Sequence, residues 1–106
     1  MQQLESDILE GFRSLLQRRV PVSRLILFGS RARGDADLES DMDVVVVLDT
    51  EWDWELRDYI SRCAWEAGFE RGIVVVPVVF SRYEWENSPE RSSLFVQSVM
   101  AEGIPV

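Results

Sequence analysis

The sequence contains no histidine and only one cysteine, Cys63. A single thiol excludes a disulfide framework within the chain and a cysteine metal cluster with it. Because zinc in proteins is held mainly by cysteine and histidine, a zinc site is not expected either. The expected compartment is the reducing cytoplasm.

Basic residues are also scarce, since eleven of them stand against nineteen acids and the formal net charge is −8. A protein that follows a nucleic-acid backbone presents a positive surface to the phosphates. Direct binding of nucleic acid is therefore not expected, and a basic protein partner suits this charge better.

Long apolar runs are missing as well. The longest, Ile73 to Phe80, is far too short to span a bilayer, and the first residues lack the basic and apolar regions of a signal peptide. A membrane role is not expected. The 106 residues are expected to form one domain with a modest core.

The most informative stretch runs from Leu25 to Leu48. It begins and ends with short apolar runs, the second rich in valine, and both predict buried strands. Between them, Gly29 permits a sharp turn and leaves the backbone open to close approach. Ser30 adds a hydroxyl and an N–H, and a helical turn beginning at Arg31 would direct further N–H groups toward a phosphate.

Two carboxylates open the second of these strands. Asp41 and Asp43 are two residues apart, so both project from one face, with Cα atoms roughly 6.6 Å apart in an extended strand. Carboxylates at the start of an apolar strand lose part of their hydration, which costs free energy unless a bound cation compensates for it. A phosphate site that faces paired carboxylates predicts metal-assisted phosphoryl or nucleotidyl transfer.

The other charges of this stretch are less specific. Asp35, Asp37 and Glu39 are interpreted as a solvated acidic loop. Arg31 and Arg33 either pair with the acids or bind phosphate. We expect one of the two to bind phosphate, and the sequence leaves open which.

The Gly29-Ser30 pair, ten intervening residues and Asp41-x-Asp43 before an apolar strand resemble the signature of the DNA polymerase β-like nucleotidyltransferase superfamily. The fuller string GSRARG at residues 29–34 resembles its minimal nucleotidyltransferase (MNT) branch. Those are small prokaryotic proteins, many encoded beside a HEPN-domain toxin. The order of the surrounding elements agrees with this resemblance.

The resemblance implies roles for these residues. Gly29 and Ser30 would contact a nucleoside triphosphate, with ATP as the expected donor, and Asp41 and Asp43 would hold Mg²⁺ or, as a substitute, Mn²⁺. The implied activity is transfer of the nucleoside monophosphate to a protein acceptor. The implied partner is a HEPN toxin, with this chain as its antitoxin in a hetero-oligomer.

One departure from the family pattern concerns a third carboxylate, which active members usually place on the strand beside the aspartates. The corresponding strand, Ile73 to Phe80, contains no acid. Mg²⁺ commonly uses one or two carboxylates plus substrate oxygens, so binding remains compatible. Base catalysis would fall to water, to the acceptor, or to Glu84 or Glu86.

Three interpretations therefore stay open. The chain is a slow protein nucleotidyltransferase, a nucleotide-binding protein that neutralises or scaffolds a partner by contact, or a small-molecule nucleotidyltransferase completed by a second subunit.

The remaining patterns predict an α/β (α+β) domain with the polymerase β-like fold, a small mixed sheet and helices mainly on one face. Apolar residues at helical spacing from Leu4 to Leu16 predict a first helix, with Glu5 on its solvated side, Arg18 and Arg19 near its end and Pro21 closing it. A capping box at Thr50 and Asp53 predicts a helix that ends at Gly68. Pro77 predicts that the third strand lies at an edge of the sheet or contains a bulge.

The last third of the chain is predicted as a connection, a helix and a short tail. The polar and aromatic residues 81–87 predict the connection, and residues 88–90 predict the start of the final helix. That helix is expected to end at Gly103 and to place four apolar side chains inward, those of Leu94, Phe95, Val99 and Met100. One or two of Trp52, Trp54 and Trp65 are expected to stay exposed.

Overall fold

The computed structural model describes residues 1–35, 37, 39–87 and 91–106, with only the backbone of residues 91–93. Five helices and four strands follow one another along these residues: α1 (Gln3–Leu16), β1 (Val22–Phe28), α2 (Ser30–Arg33), β2 (Met42–Leu48), α3 (Trp54–Phe69), β3 (Val75–Ser81), α4 (Arg82–Asn87), α5 (Arg91–Glu102) and β4 (Ile104–Pro105). The start predicted for the last helix, Ser88-Pro89-Glu90, lies outside the described residues.

The four strands form one mixed sheet in the order β3-β2-β1-β4. β1 runs antiparallel to β2 and to β4, whereas β2 and β3 are parallel. The predicted α/β class and mixed sheet are confirmed. Pro77 lies on β3 at the edge of the sheet, as predicted, where a missing N–H is tolerated.

Side chains that alternate along β2 supply both halves of the core. Val44 and Val46 pack with α1 and α3, the two longest helices, which cover one face of the sheet. Val45 and Val47 pack on the other face, where α4 and α5 add a smaller layer. Within the described residues, no helix is long and apolar enough to cross a membrane.

The start and end predicted for the third helix are wrong. Asp53 is the N-cap, because its carboxylate accepts the Leu56 N–H at 2.8 Å, and Thr50 lies outside the helix. Gly68 lies inside α3 rather than after it. A Cβ at Gly68 would come within 2.0 Å of the Ile73 carbonyl oxygen, so the glycine permits close approach of the chain that leads into β3.

Two expectations for the last third of the chain are also wrong. The predicted connection is helix α4, which is anchored to the sheet by the buried Trp85. In α5, Phe95 and Val99 face the core, but Leu94 and Met100 are 77% and 57% exposed because they lie on either side of that buried stripe. The helix ends one residue before Gly103, as predicted.

The expectation that one or two of the three tryptophans near α3 stay exposed is confirmed. Trp54 and Trp65 are exposed, and Trp52 is half-buried. Trp52 also donates its indole N–H to Glu84 at 2.8 Å, which explains its partial burial.

Candidate active site

The pairing of β1 with β2 brings the Gly-Ser turn and the two aspartates together. In the antiparallel register, Phe28 lies opposite Asp43. Gly29 and Ser30, which directly follow Phe28, therefore begin their turn beside the residues that lead into β2. Ser30 is the first residue of α2, so its N–H group has no acceptor within the helix. The Ala32 and Arg33 N–H groups both donate to the Gly29 carbonyl oxygen at 3.1 Å and close the turn.

The Asp43 carboxylate lies beside Gly29, on the side where a Cβ would project. The φ of Gly29 is +77°, in the left-handed region that favours glycine, and a Cβ built on it would lie 2.8 Å from Asp43 Oδ2. Backbone conformation and space therefore both exclude a side chain at this position. The bare backbone keeps a cradle beside the carboxylate that an alanine methyl group would fill.

The two carboxylates repel each other. Asp43 is half-buried, and this burial raises the pKa of its carboxyl above the ordinary value, while the charge of Asp41 raises it further. A divalent cation would offset both the cost of burying the Asp43 charge and its repulsion by Asp41. Within the described residues, no third His, Cys, Asp or Glu joins them in a metal-binding group. Two carboxylates together with nucleotide oxygens nevertheless suit Mg²⁺, so the residues present fit this ion.

The neighbouring strand brings a valine, rather than an acid, to the carboxylates. In the parallel register of β2 and β3, Val76 pairs with Asp43. The Val74 carbonyl accepts the Met42 N–H at 2.9 Å, which fixes this register at the start of β2. Val76 is half-buried and lies on the same sheet face as the aspartate to which it is paired.

The expectation that Glu84 or Glu86 could act as the base is wrong. Both follow β3, whose last residue, Ser81, pairs with Leu48. At roughly 3.3 Å per residue, this end of the sheet is about 16 Å from Asp43. Because β2 and β3 are parallel, the end of β3 cannot approach the start of β2. Glu84 also accepts the Ser81 N–H at 2.9 Å and so closes the turn into α4.

Arg31 points into the protein rather than toward the cradle. It is 5% exposed, and its Nη1 donates to Glu5 Oε2 at 2.9 Å while its Nε donates to the Ser40 carbonyl oxygen at 2.8 Å. Glu5 is 6% exposed, so the prediction that it faces solvent is wrong. Its Oε1 also accepts the Gln2 N–H at 2.7 Å at the start of α1. Sequence reasoning missed this ion pair because its members are 26 positions apart and follow no local pattern.

Arg33 lies on the surface beside the same turn. It forms ion pairs with Asp35 at 3.3 Å and with Glu102 at 3.5 Å, and its side chain is 45% exposed. The hydrogen bond and charge of Asp35 are the main causes that raise the pKa of Arg33. Exposed ion pairs of this kind are weak, so the guanidinium can exchange these acids for a phosphate. Of the two arginines, Arg33 is therefore the exposed one and Arg31 the buried one.

Known protein families provide an independent comparison. A sequence model of a family described as nucleotidyltransferase domain matches residues 9–103. Two proteins of Methanocaldococcus jannaschii, both named as candidate protein adenylyltransferases, are also similar. One is 33% identical over 61 residues, which are 58% of this chain and 62% of that protein. The other is 32% identical over 82 residues, which are 77% of this chain and 75% of that protein. The chain thus spans less than two thirds of the first relative's length.

Solved structures with a similar fold include proteins of toxin–antitoxin systems. One is the crystal structure of a toxin–antitoxin with AMP-PNP, with a TM-score of 0.65, 22% identity, and coverage of 91% of this chain and 69% of that chain. Another contains the tri-AMPylated HEPN toxin of Shewanella oneidensis in complex with MNT antitoxin, with a TM-score of 0.60 and 18% identity over 97% of this chain and 71% of that chain. At these identities the likeness concerns the fold alone.

Proposed function

This chain belongs to the nucleotidyltransferase domain family, and on that premise we propose that it transfers a nucleoside monophosphate from an NTP, with ATP as donor, to a hydroxyl group of a partner protein. One observation carries the proposal, the proximity of Gly29 to Asp43. It brings the turn, which suits a triphosphate, next to the carboxylate pair. That pair suits the cation that accompanies a triphosphate.

Each residue of the site has one task in this proposal. Gly29 and Ser30 hold the triphosphate through backbone N–H groups and the serine hydroxyl. Arg33 offsets phosphate charge from the surface side. Asp41 and Asp43 hold Mg²⁺, which when bound supplies positive charge to the phosphate oxygens.

The proposed reaction is a displacement at the α-phosphorus of the nucleotide. The acceptor hydroxyl oxygen forms a bond to this phosphorus, the bond from phosphorus to the bridging oxygen breaks, and pyrophosphate leaves. The hydroxyl proton passes to water, because β3 offers Val76 beside the aspartates where a base could stand. We therefore expect turnover to be slower than in members with three acids.

The acceptor in this proposal is a HEPN-domain protein, with this chain as the antitoxin half of a hetero-oligomer. Both archaeal relatives are named for protein adenylylation, and one similar structure holds an AMPylated HEPN toxin with its MNT antitoxin. The net charge of −8 also suits a basic protein partner. The proposed compartment is the reducing cytoplasm, in keeping with the single, buried thiol of Cys63.

Transfer of label to the partner tests the proposal. The protein is incubated with Mg²⁺, a HEPN-domain partner and ATP labelled at the α-phosphate, with γ-labelled ATP in a parallel reaction. The expected result is a labelled partner from the α-label alone, which requires Mg²⁺ and disappears in Asp43→Asn. An unlabelled partner, in a sample that is shown to bind Mg-ATP, would contradict the transferase.

A second candidate function is neutralisation by contact, which the absence of an acid on β3 favours. In that case Asp43→Asn still protects cells that express the partner toxin, because the fold and the interface are kept. Loss of protection in a variant that remains folded and bound to the partner would exclude this candidate. A small-molecule transferase would instead label a small acceptor, and only when a second subunit is present.

A further inference from the structure

We propose that Arg31 is a positioning residue, which holds the entry of β2 so that Asp41 and Asp43 face the turn formed by Gly29 and Ser30. This inference rests on the proposed function and deepens it. It gives Arg31 a task that requires no contact with the nucleotide.

Arg31 connects three segments that are distant in the sequence. It directly follows Ser30 in α2, its Nη1 donates to Glu5 of α1 at 2.9 Å, and its Nε donates to the Ser40 carbonyl oxygen at 2.8 Å. Ser40 is the residue immediately before Asp41. A single side chain thus links the phosphate turn, the start of α1 and the approach to the carboxylates.

The burial of this ion pair indicates a geometric role rather than a gain in stability. The Arg31 and Glu5 side chains are only 4% and 8% exposed. Removing two such charges from water offsets most of their attraction, so apolar pairs in the same place are often equally stable. What arginine adds is a planar group with donors in several directions, which can hold a carboxylate and a carbonyl at once.

The loop before β2 depends on an anchor of this kind. Ser40 Oγ donates to Asp37 Oδ1 at 3.1 Å and accepts the Asp37 N–H at 3.2 Å, but these bonds stay within the exposed loop. The bond from Arg31 to the Ser40 carbonyl connects the described end of the loop to a buried charge. A displacement of catalytic groups by about 1 Å costs on the order of 100-fold in rate. Loss of this anchor would therefore lower the activity of the site.

The test uses a double variant that leaves no unpaired buried charge. Glu5→Gln/Arg31→Met removes both charges together, and the glutamine still accepts the Gln2 N–H at the start of α1. The donors to Ser40 are lost. Arg62→Met is the matched control, because Arg62 is an arginine with an exposed ion pair on α3, remote from the site in the sequence.

Three readouts separate positioning from folding. Thermal denaturation reports stability, hydrogen exchange of the 39–43 peptide reports the anchor, and titration with Mg-AMP-PNP reports the site. In the double variant we expect a midpoint close to that of the unmodified protein, with exchange of residues 39–43 faster by about 10-fold or more and affinity lower by a similar factor. The Arg62→Met control should leave all three unchanged.

A double variant that folds, exchanges residues 39–43 at the unmodified rate and binds Mg-AMP-PNP normally would overturn the inference. Should the double variant not fold, Arg31→Lys takes its place. It keeps a positive charge beside Glu5 but lacks the fork of donors, so the same faster exchange is expected.

The exchange measurement also keeps this inference distinct from the proposed function. If the unmodified protein does not bind Mg-AMP-PNP, the proposed function fails, and the exchange of residues 39–43 still decides whether Arg31 anchors the loop. If binding is normal and is lost in Asp43→Asn, but exchange in the double variant is unchanged, the role of Arg31 alone fails.

Discussion

At the scale of single residues, the site depends on what is absent from Gly29 as much as on the charge of Asp43. An alanine at Gly29 must keep the φ of +77° and ψ of −156° found there, a combination essentially restricted to glycine, and place its methyl group 2.8 Å from Asp43 Oδ2. Gly34 also has a positive φ, +81°, but its ψ of 13° is left-handed helical, and nothing lies within 4 Å of its Cβ position. Gly34→Ala is therefore a control for a positive φ without contact with the carboxylate.

We predict that Gly34→Ala destabilises the protein by about 1–2 kcal/mol, the cost of a left-handed alanine. Gly29→Ala should destabilise it more, because its φ and ψ are essentially restricted to glycine and its methyl group meets Asp43. Gly29→Ala alone should also lower the affinity for Mg-AMP-PNP by about 10-fold or more, because Asp43 must move. Urea denaturation and calorimetric titration measure the two effects. Equal affinities in the two variants would show that the proximity of Gly29 to Asp43 is irrelevant to binding.

Asp43 also makes stability depend on pH. Its raised pKa means that the folded state binds this proton more tightly than the unfolded state does. Stability should therefore fall as pH rises from the ordinary carboxyl value through the raised one, and the loss should remain at higher pH. Removing the charge removes the loss.

We predict that Asp43→Asn raises the thermal midpoint at pH 7 without divalent cations, and that the difference shrinks as the pH falls below the ordinary carboxyl range. Denaturation scans in a chelator across this range measure it. Asp58→Asn, at an exposed position of α3, is the control and should show no such trend. A lower midpoint for Asp43→Asn at pH 7 would contradict the repulsion described for this pair.

The sequence sufficed to select Gly29, Asp43 and their spacing, because the turn and the strand start are local patterns. It could not assign Arg31 or Glu5. Helical periodicity placed Glu5 on a solvated side, but the ion pair depends on the approach of α1 to α2, which no local pattern encodes. For the same reason, the sequence could not show that Arg31 is buried and Arg33 exposed, the difference on which the proposed role of Arg33 rests.

At the scale of elements, the parallel pairing of β2 with β3 decides which residues can assist the aspartates. It brings Val76 to Asp43 and carries the acids of α4 to the opposite end of the sheet. A carboxylate restored at residue 76 would stand beside the pair. One placed at Val78 would lie level with Val45 and roughly 6.6 Å farther along the strand.

We predict that Val76→Asp increases the rate of transfer on the order of 100-fold, since a positioned base contributes at least that much. Without Mg²⁺ the same variant should be less stable, because it adds a third like charge to a half-buried site. Val78→Asp is the control and should give no gain in rate. A folded Val76→Asp protein that is no faster would show that the base is not what limits turnover.

Close packing of α3 against the chain that enters β3 explains Gly68. We predict that Gly68→Ala costs about 1–3 kcal/mol, because its methyl group meets the Ile73 carbonyl. Gly11→Ala, on α1 with no atom within 4 Å of its Cβ position, should instead add about 0.5–1 kcal/mol. Urea denaturation compares the two. A neutral Gly68→Ala would mean that α3 can shift away from this carbonyl at no cost.

The boundaries of the elements were predicted less well than their order. Thr50 and Asp53 both suit a helix start, and only the observed bond to Leu56 selects Asp53. The sequence of α4 is typical of a polar loop, because only one of its residues, Trp85, is buried against the sheet. The edge position of β3 could be predicted from Pro77, because a residue without an N–H cannot donate to a neighbouring strand on that side.

At the scale of the whole molecule, the net charge of −8 opposes the approach of a nucleotide. The Asp43 carboxyl is also half-buried and repelled by Asp41, so a cation that accompanies the triphosphate would favour its binding. The net charge suits a basic partner protein. In the proposed function, a hydroxyl of such a partner accepts the nucleotide.

Pyrophosphate release, measured together with the intact mass of the partner, distinguishes nucleotidyl transfer from every alternative. With Mg-ATP and the HEPN-domain partner, the unmodified protein should release one pyrophosphate for each AMP added to the partner, and Asp43→Asn should produce neither. A partner whose mass is unchanged and whose toxicity is nevertheless abolished, with no pyrophosphate released, would contradict the transferase and leave a protein that acts by contact.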